Sequence, residues 1–341
     1  MSSRTPHRVR LLLAAVALLV AGVFAVGAGG AAADSTTFRV LVVKATSGPE
    51  PFTDDEVDAA MRAVAAFYAT ASFGQVAITY MQTPWLTGAL DPASCQDEAA
   101  ELPPLATAAG WNLADYDRIV FLFGAHTGCA GSFFHTPNTV YVNEVAWVGL
   151  IAHELGHSFG MGHAGTLTCW PARTGRSCTG DPYGDNWDLM GGAASSLAAY
   201  VYDPGALQKA CAGWLTPTYV TKPGVYQLAP LELPSALPQA LVIRTAAYEY
   251  WIDERAALGN DLHLAGLPVT RGFAVHRVSG DPLAQGADTL TPDYLIPNAR
   301  PNSYYTAPGK TFTLPGVFTL TALSRSHGVT TIRFRWLHSS A

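Results

Sequence analysis

Charge is scarce in this chain. Only 13% of its residues are Asp, Glu, Lys or Arg, against ~25% in a typical globular protein. The charges present are unbalanced, 26 acidic against 20 basic, for a net charge of -6. That sign disfavours nucleic acid and anionic lipid as partners. No C-x-x-C pair occurs among the five cysteines, so they do not read as a zinc site. There is no internal repeat. Beyond residue 33 no stretch is long and apolar enough to span a membrane. No cysteine stands ahead of the first expected strand and no long pro-segment does either, so latency by a cysteine switch is not supported.

Apolar residues make up 49% of the chain, ample material for a core. The amino terminus carries Arg4, Arg8 and Arg10, then an uncharged apolar stretch from Leu11 to Val26, then Ala31-Ala32-Ala33 before Asp34. A basic segment, a short apolar segment and a small-residue cleavage site are the parts of a secretory signal peptide, expected over residues 1-33. An uncleaved anchor is the alternative, because the uncharged run just reaches bilayer length. The Gly and Ala crowded near its end favour cleavage, and the lack of a twin arginine favours general secretion. Cleavage removes three arginines and no acid, leaving 17 basic and 26 acidic residues and a net charge of -9. A secreted, extracellular protein without stable membrane association is expected.

Eleven residues carry the chemistry. His153-Glu154-Leu155-Gly156-His157-Ser158-Phe159-Gly160-Met161-Gly162-His163 reads H-E-x-x-H-x-x-G-x-x-H. On a helix His153 and His157 lie one turn apart on one face, so both imidazoles reach one metal ion. Glu154 projects beside them, placed to take a proton from a water. Gly160 accepts the positive φ that ends a helix sharply, and the reversal returns His163 as a third ligand. Three nitrogens leave a fourth position open, the mark of a catalytic zinc rather than a structural one. One Zn2+ is expected. A bare H-E-x-x-H arises by chance on amphipathic helices; the added Gly and third His at fixed offsets make it far more specific.

The pattern resembles the metzincin zinc peptidases, whose second hallmark is a methionine turn beneath the metal. Asp188-Leu189-Met190-Gly191 is similar to that turn, and the resemblance assigns Met190 as support under the histidines and not as a ligand. The likeness narrows to the gametolysin family and its bacterial relatives, on His163-Ala164-Gly165, the Cys169 to Cys178 loop, Tyr183-Gly184-Asp185, Leu207-Gln208-Lys209 and Gly213-Trp214-Leu215. It covers about residues 36 to 215. Gly192 departs from those metzincin groups that place a zinc-binding Tyr two residues after the Met.

All five cysteines follow residue 33, and export exposes them to oxidation. Cys169 and Cys178 bracket a short polar loop and are expected to pair. Cys95 and Cys129 are the next pair, both read as loop residues ahead of the site. Cys211 is then left over, unless it displaces one of the others.

The expected fold class is α+β: a metzincin-type catalytic domain, a twisted mixed sheet plus an active-site helix, over 34-216, then an all-β sandwich or jelly-roll-like domain over 217-341. Phe38 to Lys44 reads as a strand. Thr53-Asp54-Asp55-Glu56 is a capping box opening a helix that buries Val57, Met61, Val64 and Phe67 and ends near Gly74. Gln75 to Tyr80, Arg118 to Phe123 and Thr139 to Val142 read as further strands, with Asn143 capping the active-site helix. The resemblance implies an antiparallel edge strand that pairs with extended substrate, either Thr139 to Val142 or Gly131 to Phe134. Asp203-Pro204 reads as an N-cap with Pro at the first helical position. Pro217 and Pro223 mark a linker. Alternating strands follow at Leu241 to Arg244, Tyr248 to Asp253, Gly272 to Val278, Thr311 to Leu314, Val317 to Leu323 and Val329 to Trp336. His276 and His327 read as structural or surface residues. Glu249, Asp253 and Glu254 raise a minor possibility of a calcium site.

The resemblance implies a zinc-dependent endopeptidase with Glu154 as general base, acting on a protein or peptide in extended conformation. Tyr183 and Tyr200 are candidate donors to the oxyanion. A monomer is expected. Two alternatives stay open: a zinc hydrolase on a non-peptide amide or cell-wall substrate, and a catalytically silent binding protein, against which the intact Glu154 argues.

Overall fold

The computed structural model describes residues 35-88, 95-123, 133-136, 138-143, 148-169, 178-192, 201-279, 282-283, 293-295 and 304-337. The expected signal segment therefore lies outside the described residues, as do Cys129 and Tyr200. Among the described residues no helix is long and apolar enough to cross a membrane.

The chain is mixed α/β with three sheets and a β-rich carboxy-terminal region. β1 (Thr36–Thr46) is followed by α1 (Asp54–Ala71), β2 (Val76–Gln82), the short β3 (Leu86–Thr87), α2 (Cys95–Ala108) and β4 (Arg118–Phe123). β5 (Phe133–Thr136) and β6 (Thr139–Asn143) complete the first sheet. Its order is β2-β1-β4-β6-β5, with β3 paired to the end of β1. All its ladders are parallel except β5 against β6. Of the two edge candidates, the segment around β5 is the antiparallel edge. β6 lies inside the sheet, bonded on both sides.

Local chemistry sets these elements. Thr53 caps α1 with its side chain on the Glu56 N–H, and the Glu56 carboxylate returns to the Thr53 N–H at 2.8 Å, so both orphan amides are satisfied. Val57, Met61, Val64 and Phe67 are buried as their spacing requires. α2 was not anticipated: Pro103 and Pro104 stand inside it, and a Pro-Pro pair ordinarily reads as a helix breaker. Cys95 opens α2 and is not in a loop as expected.

α3 (Val148–Ser158) carries the first part of the motif and is buried from Ile151 to Ser158. It does not start at Asn143. That residue is the last rung of β6, paired opposite Phe123. The Tyr68 hydroxyl of α1 donates to the Ala152 carbonyl of α3. Phe38, Tyr68, Phe159 and Trp214 pack around the end of α3 with ring centroids 5.0 to 5.9 Å apart.

β7 (Ala164–Cys169) and β8 (Cys178–Asp181) form an antiparallel pair that sets Cys169 opposite Cys178. α4 (Ala206–Cys211) follows, then β9 (Thr218–Tyr219), β10 (Gly224–Leu228), β11 (Leu241–Arg244), β12 (Tyr248–Glu254), β13 (Phe273–Ser279), β14 (Asp293–Leu295), β15 (Thr311–Leu314), β16 (Phe318–Ser326) and β17 (Val329–Trp336). α4 begins after Gly205 and not at Pro204. The expected capping residue, Asp203, is buried and its carboxylate meets Lys209 Nζ at 2.6 Å, an ion pair in place of an N-cap.

The second sheet has the order β8-β7-β14-β13-β12-β11-β9 and the third β10-β17-β16-β15. Leu241, Ile243, Tyr250, Ile252, Phe273 and Val275 of the second share one core with Phe312, Phe318, Leu320, Ile332 and Phe334 of the third. The facing side chains of the two sheets are thus buried against each other, which is compatible with the sandwich-like domain expected of this region. The opposite face of the second sheet is covered too: Val242, Trp251 and Val278 pack with Ala206, Leu207 and Leu231. Residues 33-341 form one compact unit. β7 and β8 precede the expected 216/217 boundary yet pair into the second sheet through β14, so that sheet runs across it.

Candidate metal centre

Helix pitch puts His153 and His157 on one face, and the residue that stops the helix brings in the third ring. Gly160 has φ +87, a left-handed conformation that glycine adopts without a Cβ penalty. The chain reverses there and presents His163. Ring centroids are 4.9 Å apart for His153 and His157, 5.6 Å for His153 and His163, and 4.8 Å for His157 and His163. One ligand atom from each lies within 4.8 Å of the others, so the three form a group able to hold a metal ion.

Backbone carbonyls aim two of the rings. His153 Nδ1 donates to Leu189 O and His157 Nδ1 to Met161 O, each at 2.9 Å. With Nδ1 carrying the proton, Nε2 keeps its lone pair for a metal. Burial pushes His153 down to about 3, aided by the neighbouring His157, and pushes His157 down to about 4. Burial also lowers His163. The rings are thus neutral at neutral pH, the form that ligates. Three neutral imidazoles without a thiolate suit zinc. Glu154 is 5% exposed, and that burial raises its carboxyl to about 8 in the metal-free protein.

The stretch Asp188-Leu189-Met190-Gly191 lies against α3: a Cβ at Gly156 would stand 2.6 Å from Met190 Sδ. Met190 is fully buried. Asp188 shapes the turn: its Oδ1 accepts the Met190 N–H at 2.8 Å, and its Oδ2 accepts the Gly205 N–H at 2.7 Å. Arg255, just beyond β12, reaches Asp188 Oδ2 at 3.3 Å, Asp261 at 2.8 Å and the Asp203 carbonyl at 2.8 Å. Asp188 and Arg255 had no assigned role in the sequence reading. The two carbonyls that orient the histidines were missed for a plain reason: a backbone oxygen has no residue signature. Asp188 had one, being the first residue of the Asp-Leu-Met-Gly stretch.

Of the two tyrosines expected as donors, Tyr183 lies against the histidines; its ring is 4.1 Å from His163 and 6.3 Å from His153. The suggested calcium ligands are used otherwise. Glu249 accepts from Arg244 Nε at 2.6 Å and Trp251 Nε1 at 3.0 Å, Asp253 faces His276 at 3.3 Å, and Glu254 pairs with Arg325. Each has a separate partner, and among the described residues these acids form no group that could hold an ion; His276 is buried against Asp253. His327 lies in the exposed turn between β16 and β17 with φ +51.

No family model matches the chain, and no curated protein matches it. The solved structures similar to it at a low level include two. One, a chaperone-substrate complex, is 11% identical over 47% of this chain with a TM-score of 0.30; this chain spans 28% of that one. The other is catalytically inactive OgpA from Akkermansia muciniphila in complex with an O-glycopeptide substrate, 11% identical over 73% of this chain and 90% of the other, with a TM-score of 0.33. The metal centre stands on this chain's own residues.

Proposed function

We propose that this chain is a secreted zinc-dependent endopeptidase of the metzincin type, similar to the gametolysin family. The observation that carries the reading is the convergence of His153, His157 and His163 beside a buried Glu154. Further support comes from the Gly160 reversal, the buried Met190 and the antiparallel edge strand β5.

Zinc, when bound, supplies a Lewis acid that acidifies water and polarises a carbonyl. The rest is done by the chain. His153 and His157 hold the ion with rings pre-aimed by Leu189 O and Met161 O, so little reorganisation accompanies binding. Glu154 accepts the proton of the attacking water and passes it to the leaving amine. Its buried position excludes competing solvent. The free edge of β5 offers backbone groups to an extended peptide.

Cys169 and Cys178 are taken as a disulfide that pins the β7-β8 hairpin. What supports this is their register: they stand opposite one another in the ladder. Oxidation of this kind suits an exported chain.

The test is digestion of casein or gelatin by the wild type and by Glu154→Gln, each with and without a chelator. The wild type is expected to cleave, to lose activity with the chelator and to regain it with added zinc. Glu154→Gln should retain zinc and fold but lose at least ~10²–10⁴ in rate. Wild-type turnover by a folded Glu154→Gln protein would remove Glu154 from its role.

A further inference from the structure

Tyr183 lies against the histidine triad from the solvent side. Its ring is tilted 44° to His163 at 4.1 Å and stacks at 28° to His153 at 6.3 Å. The residue is 47% exposed, whereas His153, His157 and Glu154 are buried. Burial, and after it the nearby Glu154, raises the phenol above its ordinary value. The half-exposed phenol ring thus borders the buried histidines on their solvent-facing side.

The position of the ring is built, not incidental. The Tyr183 N–H donates to Asp181 Oδ1 at 3.1 Å, and the Gly184 N–H donates to the Asp181 carbonyl at 3.2 Å. These bonds fold residues 181-184 into a tight turn at the end of β8. Behind it, a Cβ at Gly192 would lie 2.8 Å from the Tyr183 carbonyl and 2.5 Å from Asn186 Oδ1. The position two residues after Met190 thus has no room for a side chain because the Tyr183 turn packs over it. Among the described residues, the tyrosine ring against the triad comes from before Met190.

We propose that Tyr183 is a catalytic residue of the reaction inferred above: its phenolic O–H donates a hydrogen bond to the substrate carbonyl oxygen as negative charge builds on that atom. The role rests on the peptidase reading. The phenol keeps its proton throughout, so the step needs no further acid or base. A preorganised donor at a developing oxyanion is worth about 10²–10³ in kcat. A ring that merely braced His163 would do so equally well without its hydroxyl.

Tyr183→Phe separates these roles, because it keeps the ring and removes only the donor. In the full chain loaded with zinc, Tyr183→Phe is expected to keep its zinc and its KM while kcat falls about 10²–10³-fold. Affinity for a phosphinic peptide, which presents a tetrahedral anionic oxygen, should fall by a comparable factor in calorimetry. A wild type that cleaves peptide beside a Tyr183→Phe protein with the same kcat and the same phosphinate affinity would overturn the proposal while leaving the peptidase reading intact. A wild type that holds zinc and cleaves no peptide would overturn the peptidase reading, and Tyr183's role with it.

Discussion

The Met190 sulfur occupies the space that a side chain on Gly156 would need. A Cβ at Gly156 would lie 2.6 Å from Met190 Sδ and 3.3 Å from Met161 Sδ. Gly156 sits between His153 and His157 on α3, so Met190 and Met161 press directly on the backbone that carries both rings.

Gly156→Ala sets two effects against each other. Alanine in a helix interior gains about 1 kcal/mol over glycine, but overpacking a filled core costs about 1–3 kcal/mol. Met190 and Met161 are both fully buried and have little room to yield. A net loss of stability and weaker zinc binding are expected, read by urea unfolding and metal titration. Met190→Leu, which preserves volume, should cost less than ~1.5 kcal/mol and keep zinc. A more stable Gly156→Ala protein with unchanged zinc affinity would show that the contact is slack.

Arg255 compensates Asp188 and Asp261 where no solvent reaches. Arg255→Met leaves both carboxylates without that cation, and breaking a buried pair from one side costs about 3–5 kcal/mol. The Met turn should loosen with it, since Asp188 holds the Met190 N–H. Chemical denaturation of Arg255→Met measures the first effect and its zinc content the second. A loss below about 1 kcal/mol would show that Asp188 and Asp261 do not depend on this cation.

Burial gives the metal-free protein a pH dependence with two opposed limbs. Glu154 is raised from 4.5 to about 8, so the folded state holds a proton that the unfolded chain has released. Stability from this group is complete below about 4.5 and is lost as pH rises through about 8. His153 and His157 are lowered from 6.5 to about 3 and about 4. The unfolded chain binds those protons first, so stability falls as pH drops from 6.5 toward 3. In chelator-treated protein, Glu154→Gln should flatten the alkaline limb and leave the acid limb in place. Melting temperatures from pH 4 to 9 decide it, and an alkaline limb unchanged in Glu154→Gln would assign that loss to another group.

The motif was legible because helix pitch converts its spacing directly into geometry: three residues and one glycine define the triad. The α1 capping box was legible for the same reason, both bonds falling within four residues. Long-range partners were not. Asp203-Pro204 has the local form of a helix start, yet Asp203 is claimed by Lys209 and Asn260, and tertiary charge pairing outweighs the cap. Tyr248 to Asp253 reads as a strand with one wet face, yet β12 is buried on both, because α4 covers the second. Its acids at 249 and 253 each meet a side chain from another strand, Arg244 and His276. β7, β8 and β14 carry no strong strand pattern and form through pairing with one another. The Pro103-Pro104 pair hid α2, whose Leu102 and Ala106 are nonetheless in the core.

Of the three histidines, His163 depends most on the fold, since it lies past the helix and reaches the site through the Gly160 reversal. The decisive measurement is zinc per chain in purified His163→Ala protein beside the wild type. About one zinc in the wild type, with metal and peptide cleavage lost together in His163→Ala, is expected, because two histidines are too few for a stable catalytic site. Full zinc occupancy with full activity in a folded His163→Ala protein would contradict the three-histidine centre and place the third ligand elsewhere.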